Sequence, residues 1–77
     1  MDLEKKVFEI IAQCLEISAS ELSEETAIGD FPSWDSLGHM VIISELEKEF
    51  SIKFDMESII DMEDIADIIE IVEEHIT

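Results

Sequence analysis

The stretch DFPSWDSLGHM, residues 30–40, marks the point where a long connection becomes a helix. Pro32 lies in the connection, and the apolar spacing typical of a helix begins at Leu37. Asp35 and Ser36 stand at the junction, and either residue type can cap a helix by accepting a hydrogen bond from its first turn. A helix start also carries unpaired N–H groups and a partial positive charge, which stabilise phosphate. Ser36 therefore has two interpretations, a helix cap or the attachment point of a phosphodiester.

Before this junction, the sequence predicts one helix and a long loop. Apolar residues recur at helical spacing up to Ile17, and polar residues occupy the other face, so we expect the first helix to end near Ile17. Residues 18–34 are rich in serine and should be mainly loop. Leu22 and Ile28 are expected to hold this loop against the core.

After the junction, the pattern predicts three further helices. The second runs over about residues 36–50, and its apolar band is wider than one face. A short third helix follows Asp55 as its N-cap, with Ile59 and Ile60 facing inward. A fourth helix begins after Asp61. Three longer helices, a short third one and a long loop between the first two predict an all-α fold, a small four-helix bundle.

Length and composition indicate one small folded domain, residues 1–77. Hydrophobic residues make up 47% of the chain, which argues against a disordered acidic tail. No apolar run approaches the roughly 18 residues of a membrane span, so we expect no membrane insertion. The start of the chain is charged and periodic, unlike a signal peptide, and a cytoplasmic protein is expected.

The charge of the chain restricts its partners. There are 21 acidic residues against four lysines and no arginine, which gives a formal net charge of −17. Nucleic acids and anionic membranes would repel such a chain. We expect a monomer that binds proteins with basic patches, in complexes that weaken with salt. Acidic pairs could bind cations weakly, but no motif predicts a dedicated metal site.

With these features together, the chain resembles acyl carrier proteins. The resemblance rests on Asp35-Ser36-Leu37, which opens a second helix ending in LEKEF, and it extends over essentially the whole chain. It implies that a phosphopantetheinyl transferase attaches 4′-phosphopantetheine from coenzyme A to Ser36, within a motif completed by Asp35 and Leu37. It also implies that the protein is not an enzyme. It would carry acyl or aminoacyl groups as thioesters to acyl-loading and acyl-processing enzymes.

The resemblance assigns two further groups of residues, both centred on the second helix. Partner enzymes would dock on this helix, with help from the third, through Leu37, Met40, Val41, Glu45, Glu47, Met56 and Ile59. The acyl chain would fold back between the second and third helices, into a cavity lined by Ile43, Leu46, Phe50, Phe54, Met62 and Ile68.

The residues around Ser36 depart from the common fatty-acid carriers. Those carriers have acidic residues just after the serine, whereas Gly38, His39 and Val41 occupy this stretch here. Trp34 is also unlike that form, and we expect it to pack at the junction of loop and core. Gly38 would let another surface approach, and His39 would be solvated or partly packed. The pattern is more typical of specialised pathways, so the pathway stays open between fatty-acid, polyketide, D-alanyl, sugar and amino-acid modification.

One alternative from a different class fits the acidity. A small acidic bundle can inhibit a basic enzyme by charge mimicry, as an immunity protein does. Such an inhibitor would need no modification, and Ser36 would be only a helix cap. Replacing Ser36 by alanine separates the two hypotheses, because it would abolish carrier function and leave the affinity of an inhibitor nearly intact.

Overall fold

The computed structural model of the chain describes residues 3–76. Four α-helices follow one another, α1 (Leu3–Leu15), α2 (Ser36–Phe50), α3 (Met56–Asp61) and α4 (Ile65–Ile76), with a 3-10 helix at Ala19–Glu21. Within this part of the chain no strand is formed, and Ala27 and Asp64 make an isolated bridge. The predicted all-α bundle with a short third helix is confirmed. None of the helices described is long and apolar enough to cross a membrane.

The core forms where the apolar stripes of the three longer helices meet. Helix α1 packs against both α2 and α4. Burial of an aliphatic side chain contributes about 1.5–3 kcal/mol, so these stripes are the main source of stability in so small a chain. The stripes contribute Val7, Ile11 and Leu15 from α1, Ile42, Ile43 and Leu46 from α2, and Ile65, Ile68, Ile69, Ile71 and Val72 from α4.

The long loop is held mainly by backbone hydrogen bonds to the segment around the start of α4. The N–H of Ile65 donates to the carbonyl of Thr26 at 3.0 Å, and the N–H of Ile28 donates to the carbonyl of Glu63 at 3.3 Å. Leu22 packs against the core as predicted. The prediction for Ile28 was wrong, because its side chain is exposed and only its backbone binds.

The helix ends differ from the predictions in small ways that have local causes. Helix α1 ends at Leu15 rather than near Ile17, because Glu16 adopts a left-handed conformation with φ of 59°. In α3, Ile59 packs against the core but Ile60 is 69% exposed, so the inward position predicted for Ile60 was wrong. The two side chains point about 100° apart, and α3 packs against the core only through the side that carries Ile59.

Candidate functional site

Asp35 and Ser36 have different roles at the start of α2. Asp35 has an extended backbone, and its Oδ1 accepts a hydrogen bond from the N–H of Gly38 at 2.8 Å. Asp35 is therefore the N-cap. Ser36 is the first residue of the helix, it is exposed, and its hydroxyl makes no hydrogen bond to any of residues 3–76. The cap does not need the hydroxyl of Ser36, which faces solvent.

Gly38 has an internal structural role that the sequence did not reveal. A Cβ at this position would collide with the backbone carbonyl oxygen of Ser33 and lie 3.4 Å from Oδ1 of Asp35. Another surface was expected to approach Gly38, and that surface is the loop of the same chain. The absence of a Cβ at Gly38 lets the loop pass close to the first turn of α2, where Ser36 lies.

Trp34 and His39 form a buried pair beneath this turn. Trp34 is fully buried, as predicted, and its Nε1–H donates to Nδ1 of His39 at 3.3 Å. His39 is only 6% exposed, so the prediction of a solvated or partly packed side chain was wrong. A buried indole N–H needs an acceptor, and this requirement was the available signal that His39 lies inside.

The environment of His39 favours the neutral ring. Burial lowers the pKa of His39, since the protonated ring loses its hydration, and the backbone carbonyl of Ile59 in α3 acts in the opposite direction. This interaction is weak, since no full hydrogen bond reaches the buried Nε2 from the residues described. The ring of His39 therefore lies between the start of α2 and α3, and its Nε2 lacks a full hydrogen bond.

The residues predicted to dock partners differ in exposure. Leu37 is 79% exposed at the start of α2, and Met40 and Val41 follow it with about half of their surface exposed. Met56 is exposed at the start of α3, whereas Ile59 is partly buried against the core. Ile60 is a further exposed apolar side chain of α3 that the sequence reasoning placed inside.

The two glutamates of the predicted docking set have partners within the chain. Glu45 is exposed, and its carboxylate lies 3.7 Å from Nζ of Lys48. Glu47 is half-buried, and its Oε2 accepts a hydrogen bond from the N–H of Phe54 at 3.0 Å. Glu47 therefore ties α2 to the connection that leads into α3, which is a structural role.

The residues predicted to line an acyl cavity lie together in the core. Five of them are buried and Phe50 is partly buried against the same cluster; the buried ones are Ile43, Leu46, Phe54, Met62 and Ile68. They come from α2, from the segments on both sides of α3, and from α4. The structure thus places these six side chains in one packed cluster beneath α2 and α3.

The remaining candidates for a site are the acidic side chains, Cys14 and a groove beside α1. Within residues 3–76 no three His, Cys, Asp or Glu side chains are grouped so that they could hold a metal ion. Burial, and secondarily Glu45, raises the pKa of the half-buried Cys14 thiol, which makes it less reactive. A groove of about 450 Å³ lies between α1 and the 3-10 helix, and none of the predicted site residues lines it.

Comparisons with known proteins agree with this geometry. Residues 5–72 match the family described as the phosphopantetheine attachment site. The chain is also similar to the holo acyl carrier protein from Geobacter metallireducens, solved in solution by NMR. The TM-score is 0.85 and the sequence identity 28%, over 97% of this chain and 86% of that chain. No curated protein matches the chain.

Proposed function

The chain belongs to the acyl carrier protein family, and we propose that Ser36 is the residue to which its 4′-phosphopantetheine arm is attached. The family consists of carriers and not of catalysts, and its prosthetic group supplies a thiol that holds acyl groups as thioesters. The matched range, residues 5–72, includes Ser36 together with Asp35 and Leu37.

The division of roles between Asp35 and Ser36 carries this proposal. Because the Asp35 carboxylate caps α2 at 2.8 Å from the N–H of Gly38, the hydroxyl of Ser36 has no structural role in the cap. The inhibitor hypothesis interpreted Ser36 as a helix cap, and the geometry gives that role to Asp35. The family match likewise favours the carrier over the inhibitor.

The position of Ser36 suits the modification chemically. The transferase must bring Oγ of Ser36 to a phosphorus atom of coenzyme A, so that the new phosphodiester forms as the diphosphate linkage breaks. An exposed side chain at the first position of a helix allows that approach. The phosphodiester would lie at the start of the 15-residue helix α2, whose partial positive charge favours an anion and is shared with the capping carboxylate of Asp35.

We infer that partner enzymes dock beside Ser36 through the exposed apolar side chains of α2, Leu37, Met40 and Val41. A second copy of this chain is an unfavourable partner, because each copy carries a formal charge of −17. Biosynthetic enzymes with basic patches around an apolar contact would be attracted instead. This arrangement supports a monomeric carrier that meets its enzymes one at a time.

The experiment that tests the attachment site is an intact-mass measurement. The purified protein is incubated with coenzyme A and a broad-specificity phosphopantetheinyl transferase, beside the Ser36→Ala and Ser44→Ala variants. Ser44 is an exposed serine on the same helix, two turns from Ser36, and therefore a matched control. We expect the wild type and Ser44→Ala to gain the mass of one phosphopantetheine and Ser36→Ala to gain none.

The opposite pattern would contradict the proposal directly. If Ser36→Ala still gains one phosphopantetheine, another side chain is the acceptor. If the folded wild type gains nothing with several transferases, Ser36 is not an attachment site for this arm. Circular dichroism of each variant shows whether the helical bundle is intact, so a folding defect cannot be mistaken for loss of the site.

A further inference from the structure

The buried pair Trp34–His39 leaves one polar atom unsatisfied. Trp34 can only donate through its indole Nε1–H, so Nδ1 of His39 must be the acceptor in their 3.3 Å hydrogen bond. The proton of the neutral imidazole then lies on Nε2. This Nε2–H group is buried and donates to nothing within residues 3–76. Native proteins pair nearly all such groups, so an unpaired one calls for an explanation.

The unpaired group lies on the side of the ring that faces α3. The backbone of Ile59 in α3 makes a weak hydrogen-bonding interaction with the ring, but its geometry falls short of a full hydrogen bond to Nε2. Helix α3 is short, with six residues, and none of its side chains belongs to the fully buried core.

The same position is close to the attachment point in the fold. Ser36 and His39 are three residues apart on α2, and residues at this spacing are neighbours on a helix surface. A group held covalently at Ser36 has a high effective concentration around the first turn of α2, where His39 also lies. An oxygen atom on that group would offer Nε2–H a hydrogen-bond acceptor.

We propose that Nε2–H of His39 is a hydrogen-bond donor for an acyl cargo that bears a carbonyl or hydroxyl oxygen near its thioester. The inference rests on the proposed function, since the cargo reaches His39 only if Ser36 carries the arm. His39 then acts as a specificity-determining residue. A 3-oxo or 3-hydroxy acyl chain satisfies the donor, whereas a plain alkyl chain leaves it buried and unpaired.

The test compares four forms of the protein, apo, holo, hexanoyl-loaded and 3-oxohexanoyl-loaded. The acyl groups are attached through a hydrolysis-resistant amide analogue of the thioester. We expect the 3-oxo form to melt about 4–8 °C above the hexanoyl form, the effect of about one additional net hydrogen bond in a domain of this size. The imidazole N–H signal of His39 in ¹⁵N NMR should exchange slowly with water in the 3-oxo form alone.

Two variants separate the donor from its structural neighbour. His39→Asn keeps an oxygen near the position of Nδ1 for Trp34 but lacks the donor at Nε2. His39→Gln places an N–H group near the position of Nε2. We expect His39→Asn to lose the melting difference between the two cargoes and His39→Gln to retain most of it.

Three outcomes would overturn the inference, and they differ from failure of the proposed function. Equal melting temperatures for the two cargoes, an N–H signal already protected in the holo form, or an unchanged difference in His39→Asn would each exclude selection of an oxygenated cargo by His39. The protected holo form would indicate that an oxygen of the arm itself is the partner. Failure of the proposed function would appear earlier, as the absence of any mass gain at Ser36.

Discussion

Gly38 stands in a helix, where glycine is normally unfavourable, and the reason is the backbone of Ser33. Replacing an exposed helical glycine by alanine usually stabilises a helix by about 1 kcal/mol. At this position the added Cβ would meet a carbonyl oxygen that belongs to the backbone and cannot rotate away. We therefore expect Gly38→Ala to destabilise the fold by about 1–3 kcal/mol, the range for overpacked sites.

Urea denaturation of Gly38→Ala and the wild type tests whether the substitution lowers the free energy of unfolding. Ser44→Ala is the matched control, because it adds helix propensity at an exposed position of the same helix without a new contact. It should be neutral or slightly stabilising. A Gly38→Ala variant as stable as the wild type would mean that the loop at Ser33 withdraws at little cost.

His39 makes the stability of the fold depend on pH. Its pKa is lowered in the folded protein, first by burial, so the unfolded chain takes up its proton at a higher pH. The stabilising effect of the neutral ring is present above the ordinary value of 6.5. It decreases as the pH falls through that value toward the lower pKa of the folded state.

We expect the wild type to lose stability relative to His39→Asn as the pH falls from about 8 to about 5. Urea denaturation at several pH values measures the difference between the two proteins. Subtracting the variant removes the contribution of the acidic residues, which titrate in both. A difference that stays constant across this range would show that His39 has the same pKa in the folded and unfolded states.

Among single residues, the sequence predicted the features that depend only on neighbours along the chain. The helix start at Asp35 and Ser36 could be predicted because capping depends on neighbours in the chain, but the sequence left open which of the two is the cap. The burial of His39 and the need for Gly38 depend on how the loop of residues 30–35 returns across the first turn of α2. That path is set by tertiary packing, and no periodic pattern in the sequence records it.

Helix α2 has an apolar band wider than one face, and the structure separates it into two parts. Ile42, Ile43 and Leu46 are buried in the core, while Met40 and Val41 are about half-exposed. The sequence predicted this division because the outer residues lie off the inner helical stripe. The exposure of Ile60 was not predicted, since six residues in α3 are too few to define which face turns inward.

The exposed side of α2 leads to a prediction about docking. We expect Met40→Ser to weaken binding to the phosphopantetheinyl transferase or another partner several-fold, since a half-buried contact of this kind is worth about 1 kcal/mol at an interface. The change should leave the melting temperature nearly unaltered, because Met40 is 49% exposed. Surface plasmon resonance against the partner measures the affinity.

Ile76 provides the control for this measurement. It is 46% exposed, nearly as much as Met40, but it lies at the end of α4. Ile76→Ser should leave the affinity unchanged. Equal losses from both variants would indicate a general effect of surface hydrophobicity, and no loss from Met40→Ser would remove this residue from the docking surface.

Over the whole molecule, the charge of −17 acts on folding and on docking in opposite directions. The ion pair between Lys6 and Glu49, at 3.2 Å, lies on the surface and offsets little of the repulsion. In the folded state the acidic side chains are held close together, so their repulsion destabilises the bundle. Salt screens this repulsion, and it equally screens the attraction toward a basic partner.

We expect the melting temperature to rise by about 4–8 °C, which corresponds to roughly 1 kcal/mol, when the ionic strength increases from about 0.01 M to about 0.15 M. The reason is that the Debye length falls from about 30 Å to about 8 Å, so the acidic side chains repel one another less. Partner affinity should fall over the same interval. The variant with Glu70→Gln and Glu74→Gln removes two like charges one turn apart on α4. It should melt higher at low salt and respond less to added salt. A melting temperature independent of salt, or a variant that responds as the wild type does, would show that repulsion among the acidic side chains does not limit the stability of the bundle.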